Sequence, residues 1–149
     1  MDYTQFNYID RAKISGYVRN VSFNFYTAPS GNNLSQIWLY LVDDDTLVSG
    51  YPMLFNLSSP YLIPPVQIQN KSGVQQFTLT PYAMNISQGQ FLAVSFSAST
   101  GGSTYENTRN LYALANENLL PDIMSGNPYE FDNYVSYGMA FSYTVMAYS

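Results

Sequence analysis

The chain of 149 residues contains no cysteine and no histidine. Without thiols there are no disulfides or thiolate ligands, and without imidazole the Ser-His and Cys-His catalytic arrangements and the zinc fingers are excluded. Charge is scarce as well. Asp, Glu, Lys and Arg supply 10% of the residues, against about 25% in an ordinary soluble domain. The five basic residues are Arg11, Lys13, Arg19, Lys71 and Arg109, and only the first two stand close together. A surface that neutralises several phosphates or an anionic membrane cannot be built from them, so no nucleic-acid partner is expected. No run approaches the roughly 18 apolar residues of a membrane-crossing helix, so no membrane-spanning segment is expected. Met1 to Arg11 lacks the basic leader and apolar run of a signal peptide. The expectation is that an extracellular form either lost a leader or leaves its host by particle assembly and lysis.

What is abundant is apolar and aromatic. Hydrophobic residues make up 46% and aromatic ones 17%, with Tyr at 15 positions. This is ample material for a core. Solubility then rests on Asn, Gln, Ser, Thr and Tyr hydroxyls, with a formal charge of −5 from ten acids and five bases. Few carboxylates means little stability tied to their ionisation, a composition that suits an acidic medium outside the cell. Five Asn-x-Ser sequons occur, at Asn20, Asn33, Asn56, Asn70 and Asn85. Asn33, Asn56 and Asn70 are expected in loops and are the glycosylation candidates, whereas Asn20 falls inside an expected strand.

Alternation of apolar and polar residues predicts short strands throughout. From Ile14 to Tyr26, Tyr17, Val21, Phe23 and Phe25 share one parity against Ser22 and Asn24. Arg19 shares the apolar parity and marks a rim or a bulge, since an unpaired buried guanidinium is costly. Leu34 to Val42 is apolar on both faces, as a central strand would be. Asp43-Asp44-Asp45 reads as a turn. Pro52, Pro60, Pro64 and Pro65 predict an irregular excursion. Val66–Gln69, Val74–Thr80 and Gln90–Ala98 are further strands, the last with Ser95 and Ser97 outward. Leu111–Leu120 has the spacing of a short helix, weakened by Asn116 and Asn118. Val135 to Ala147 is the clearest strand. The fold expected is all-β: an antiparallel β-sandwich of jelly-roll type, with long Pro/Asn-rich loops and at most one short helix. Residues 1–13 form an N-terminal arm or edge strand and 14–149 a single sandwich domain.

Catalytic chemistry finds little support, and no enzyme, cofactor or metal is expected. The Asp43–Asp45 cluster lacks the spaced ligand pattern of a calcium loop. Glu106, Glu117, Asp122, Glu130 and Asp132 could supply the carboxylate pair of a glycosidase only if the fold brought two of them across a groove. Lys13 and Lys71 lie in no Ser-x-x-Lys arrangement. The rings are the more informative feature: Trp38, Tyr40, Tyr51, Tyr61, Tyr82, Tyr105, Tyr112, Tyr129 and Tyr134 exceed what a small core absorbs. Trp38, Tyr51, Tyr61, Tyr105 and Tyr129 are the candidates for an interface or a glycan contact, because such rings cover large areas at low entropic cost.

In composition and strand pattern the whole chain resembles jelly-roll and β-sandwich proteins on virion surfaces and in cell-surface filaments of acid-loving archaea and their viruses. The resemblance implies an extracellular, virion-surface structural protein and glycoprotein: a capsid or vertex component such as a penton, turret or fibre. Its partners would be copies of itself in an oligomer and other structural proteins of the particle. The alternative is a carbohydrate-binding or adhesin domain that meets surface glycans.

Overall fold

In a computed structural model of the chain, the residues described are 3–7, 10–31, 34–44, 54–97, 102–105, 112–115, 129–130, 132–134 and 139–148. They form β1 (Tyr3–Asn7), β2 (Gly16–Thr27), β3 (Ile37–Asp44), β4 (Leu54–Leu62), a 3-10 turn (Pro65–Gln67), β5 (Gly73–Thr78), β6 (Asn85–Ile86), β7 (Phe91–Phe96), β8 (Ser103–Thr104), β9 (Tyr112–Ala115), β10 (Tyr129–Glu130), β11 (Asp132–Tyr134) and β12 (Phe141–Ala147). The protein is all-β, with two antiparallel sheets. The first has seven strands in the order β10-β4-β3-β7-β1-β9-β11. The second has β2 between β12 and β5, with β6 and β8 pairing at the two ends of β2. Among the described residues the 3-10 turn is the only helical element, and none is long and apolar enough to cross a membrane.

One core is shared by both sheets, in a sandwich-like arrangement. Val18, Val21, Phe23 and Phe25 of β2, with Phe77 and Phe141, meet Ile37, Leu39 and Leu41 of β3 and Leu92, Val94 and Phe96 of β7. The Phe23 and Phe96 rings join the layers edge to face at 5.6 Å, and Phe23 also stacks on Phe141 at 4.9 Å. A second tie is polar. Buried Asn7 donates from Nδ2 to the Met139 carbonyl (3.1 Å) and accepts from the Met139 N–H (2.9 Å), satisfying both ends of an amide in an apolar setting.

Several expectations are corrected. β1 is neither an arm nor an edge strand. It pairs with β7 on one side and β9 on the other, because Phe6 and Asn7 are buried on opposite faces. The proline-bearing stretch holds a nine-residue strand, β4: Pro60 follows Ser59 (φ 52°) where the pairing with β3 slips between Leu39 and Leu41, a bulge that needs no ladder donor. Pro64-Pro65 starts a 3-10 turn rather than a strand, closed by Gln67 N–H to the Pro64 carbonyl. Residues 112–115 are a strand rather than a helix, since pairing with β1 and β11 outweighs a weak helical spacing. Asp43 and Asp44 end β3 instead of forming a turn. Asp43 accepts from Gln90 Nε2 at 2.8 Å, and Asp45 lies outside the described residues. Ser95 is buried, not outward, because β7 is covered on both faces.

The expected irregularity at Arg19 is present, and it has a consequence. β12 pairs Thr144 with Asn20 and Val145 with Val18, so Arg19 is the extra residue of a bulge. The bulge reverses the parity of β2. Val18 takes the inward place and Tyr17 turns outward. Arg19 donates from Nη1 to the Leu79 carbonyl at 2.6 Å, which partners its half-buried charge.

Candidate functional site

The outward face of the second sheet is built from strands whose inward residues are committed to the core. Cross-strand partners share a face, so the register reads off its surface directly. Ser22 lies between Ser142 and Gln76, Asn20 between Thr144 and Thr78, and Asn24 beside Val74. Thr78 Oγ1 donates to Asn20 Oδ1 at 2.8 Å. No acid or base other than bulged Arg19 occurs in β2, β5, β6 or β12. The result is a sheet surface dominated by hydroxyls and amides, with exposed Val74 and Met146 among them and no ionised group besides Arg19.

Tyrosines stand at both ends of this face. At one end the bulge-flipped Tyr17 lies between Met146 and Asn85 as cross-strand neighbours. Its ring meets Tyr82 at 4.6 Å and Tyr148 at 6.5 Å, and Tyr82 and Tyr148 lie nearly parallel, 7° apart. Tyr82 and Tyr148 are 55% and 52% exposed. Tyr82 holds a φ of 67°, uncommon for a bulky residue. Tyr148 Oη donates to Asn85 Oδ1 at 3.1 Å. Gly16 lets β12 close here, since a Cβ would collide with the Met146 carbonyl oxygen. At the other end the exposed Tyr26 and Tyr105 rings meet edge to face at 5.2 Å. The Tyr105 backbone is fixed by N–H donation to the Asn24 carbonyl and acceptance from the Ala140 N–H.

The nominated residues separate clearly. Tyr105 belongs to the face just described. Tyr61 does not: it packs against the core, and burial pushes its hydroxyl pKa up. Trp38 is half-buried on β3, opposite Ser95 and Leu62 in the first sheet. Tyr129 lies in β10 opposite Phe55. Tyr51 and Asn33 fall outside the described residues. Asn56 is half-buried in β4 opposite Asp43, not in a loop, whereas Asn70 is exposed on the bend after the 3-10 turn. The residues that sequence reasoning placed elsewhere or passed over are Tyr17, Tyr26 and Tyr148. For Tyr17 the missing signal was the parity reversal that a bulge imposes.

An open cleft of about 520 Å³ lies between Asp10–Ile14 and β12, lined by Arg11, Lys13, Phe141, Tyr143 and Val145 among others. Tyr143 Oη donates to the Asp10 carbonyl at 2.9 Å. Burial first, then the Asp10 carboxylate, pushes its pKa up to about 12. Arg11 lies over the Phe91 ring at 4.3 Å and donates to the Gly89 carbonyl. Glu130 and Asp132 sit in β10 and β11, which end the first sheet's strand order on opposite sides but are separated in the chain by one residue. Glu106, Glu117 and Asp122 lie outside the described residues, among which no group of three His, Cys, Asp or Glu side chains could hold a metal ion. No protein family, no curated protein and no solved structure matches the chain, so its function has to be argued from this geometry.

Proposed function

We propose that the chain is a non-enzymatic structural protein of an extracellular assembly, a capsid or vertex component at a virion surface. It would meet copies of itself and other structural proteins through the outward face of the second sheet. The observation that carries this reading is the combination on one face of uncharged hydroxyls and amides with exposed tyrosines at both ends. Charged groups are depleted at the centres of protein interfaces and Tyr is enriched there, because ions are costly to desolvate and rings cover area at little entropic cost. The sandwich is read as a jelly roll, supported by the long antiparallel pairing of β2 with β12, strands near opposite ends of the chain.

The alternative, a glycan-binding or adhesin domain, is favoured by one particular observation: the exposed Tyr26–Tyr105 pair beside Asn24, to whose carbonyl the Tyr105 N–H donates. Rings next to amides and hydroxyls suit the mixed apolar and polar faces of a sugar. Sedimentation velocity over a concentration series, run beside a glycan array, separates the two. Concentration-dependent association lost in Ser22→Glu supports assembly. Specific glycan binding by a monomer, lost in Tyr105→Ala, supports the alternative. A monomer that binds no glycan overturns both.

A further inference from the structure

We propose that Asn85, rather than the sequons expected in loops, is the site of an N-linked glycan, and that Tyr17, Tyr82 and Tyr148 form the platform on which its first sugar rests. The proposal rests on the extracellular setting inferred above and adds a modification that fixes which end of the sheet face stays open. Asn85-Ile86-Ser87 is a sequon. Of the four sequons among the described residues, Asn20 and Asn56 are half-buried within paired strands, and Asn20 already accepts from Thr78. Asn85 is exposed and belongs to the two-residue strand β6 at the end of the sheet.

Its surroundings set it apart from Asn70, the other exposed sequon. Asn85 and Tyr17 are direct cross-strand partners, so their side chains rise from the same face within about 5 Å at Cβ. The Tyr148 hydroxyl holds Asn85 Oδ1, which orients the amide. Nδ2, the atom that carries an N-linked sugar, lies toward Tyr82, 3.4 Å from its carbonyl oxygen. Three rings therefore gather around the attachment atom, two of them half-exposed. Left bare, these rings form an exposed apolar cluster. A pyranose offers the opposite: C–H groups on one face for the rings and hydroxyls toward water. A glycan at this end would leave the Ser22, Asn24, Gln76 and Tyr26 end free for docking.

The test is secretion of the full chain, behind a cleavable leader, from a eukaryotic host that glycosylates Asn-x-Ser sites. Occupancy is read by peptide mass spectrometry after enzymatic release in heavy-oxygen water. Asn85 occupied in most molecules, with Asn20 and Asn56 bare, is the expected result. Bare Asn85 in the secreted protein overturns the proposal, whatever happens at Asn70. The platform is tested separately by trimming to the first sugar and comparing melting temperature with the Asn85→Gln protein. A gain of roughly 3 °C is expected, reduced to nothing in Tyr148→Ala and in Tyr82→Gly backgrounds. A gain that survives both ring losses, or no gain at all, overturns the platform. Sedimentation of the same samples reads assembly independently: an associating chain with bare Asn85 rejects this proposal alone, and a glycosylated monomer rejects only the assembly reading.

Discussion

In the first sheet, β3 and β7 bury side chains on both faces, whereas β2, β5 and β12 bury alternate residues and turn Ser, Thr, Asn and Gln to solvent. Tyr40, Val42, Phe91 and Ala93 are as inaccessible as Leu39 and Val94 on the opposite side of the same strands. The first sheet is also curled: β10 and β11 are separated only by Phe131, yet they pair with β4 and β9 across the sheet. A central strand enclosed on both sides contributes to stability and presents little. One enclosed on a single side can vary its outer surface without disturbing its packing, which makes the second sheet the place to look for contacts.

The largest expected effects break what the sheets share. Phe23→Ala removes a fully buried ring that touches Phe25, Phe77, Phe96 and Phe141. It should cost about 4 kcal/mol in urea unfolding. A loss below about 1 kcal/mol would mean that the layers are held together elsewhere. Asn7→Ala deletes little volume but leaves the Met139 N–H and carbonyl buried and unpaired. A loss of about 3 kcal/mol is expected. Asn7→Leu should not restore it, because shape without hydrogen bonds leaves both backbone groups unmet.

A middle-sized effect depends on pH. The folded Tyr143 holds its proton more tightly than the unfolded chain, with a pKa near 12 against the ordinary 10.0. Below about pH 10 the residue is neutral in both states, so its contribution is fully present. Between 10 and 12 the unfolded chain releases the proton first, and stability falls as pH rises. The loss attributable to this residue is roughly 2 kcal/mol across that window. Tyr143→Phe should therefore be less sensitive than the parent chain between pH 9.5 and 11.5 in thermal melts. Parallel curves for the two proteins would show that Tyr143 is not held as its bond to the Asp10 carbonyl implies.

Much of the fold was legible because its cause is local. Alternation in β2, β5 and β12, and two apolar faces in β3, follow from period-two patterning. The misreadings arise where a partner strand decides. β1 has no strict period because both of its faces are buried. Pro60 in β4 is tolerated at a bulge that only the β3 register reveals. Residues 112–115 become a strand because β1 and β11 flank them. For the site, the polar face was visible in Ser22 and Asn24, but its aromatic ends were not. A bulge at Arg19 was foreseeable from the cost of burying a guanidinium. That bulge also turns Tyr17 outward, because one inserted residue exchanges the faces of everything on one side of it. The meeting of Tyr17 with Tyr82, Tyr148 and Asn85 depends instead on how β6 and β12 pair with β2.

The smallest expected effect on stability sharpens the contrast between the sheets most. Ser22 lies at the middle of the outward face, between Ser142 and Gln76, while its chain neighbours Val21 and Phe23 are fully buried. Ser22→Glu places one carboxylate on that face without touching the core, so the unfolding free energy should move by no more than about 0.5 kcal/mol. The same charge must be desolvated whenever the face meets another surface, and copies meeting through equivalent faces would also oppose like charges. Association measured by sedimentation should therefore fall at least tenfold while the urea midpoint stays in place. If the midpoint instead falls as far as in Phe23→Ala, Ser22 is part of the packing. If both quantities are unchanged, the uncharged face is not where this protein makes contact.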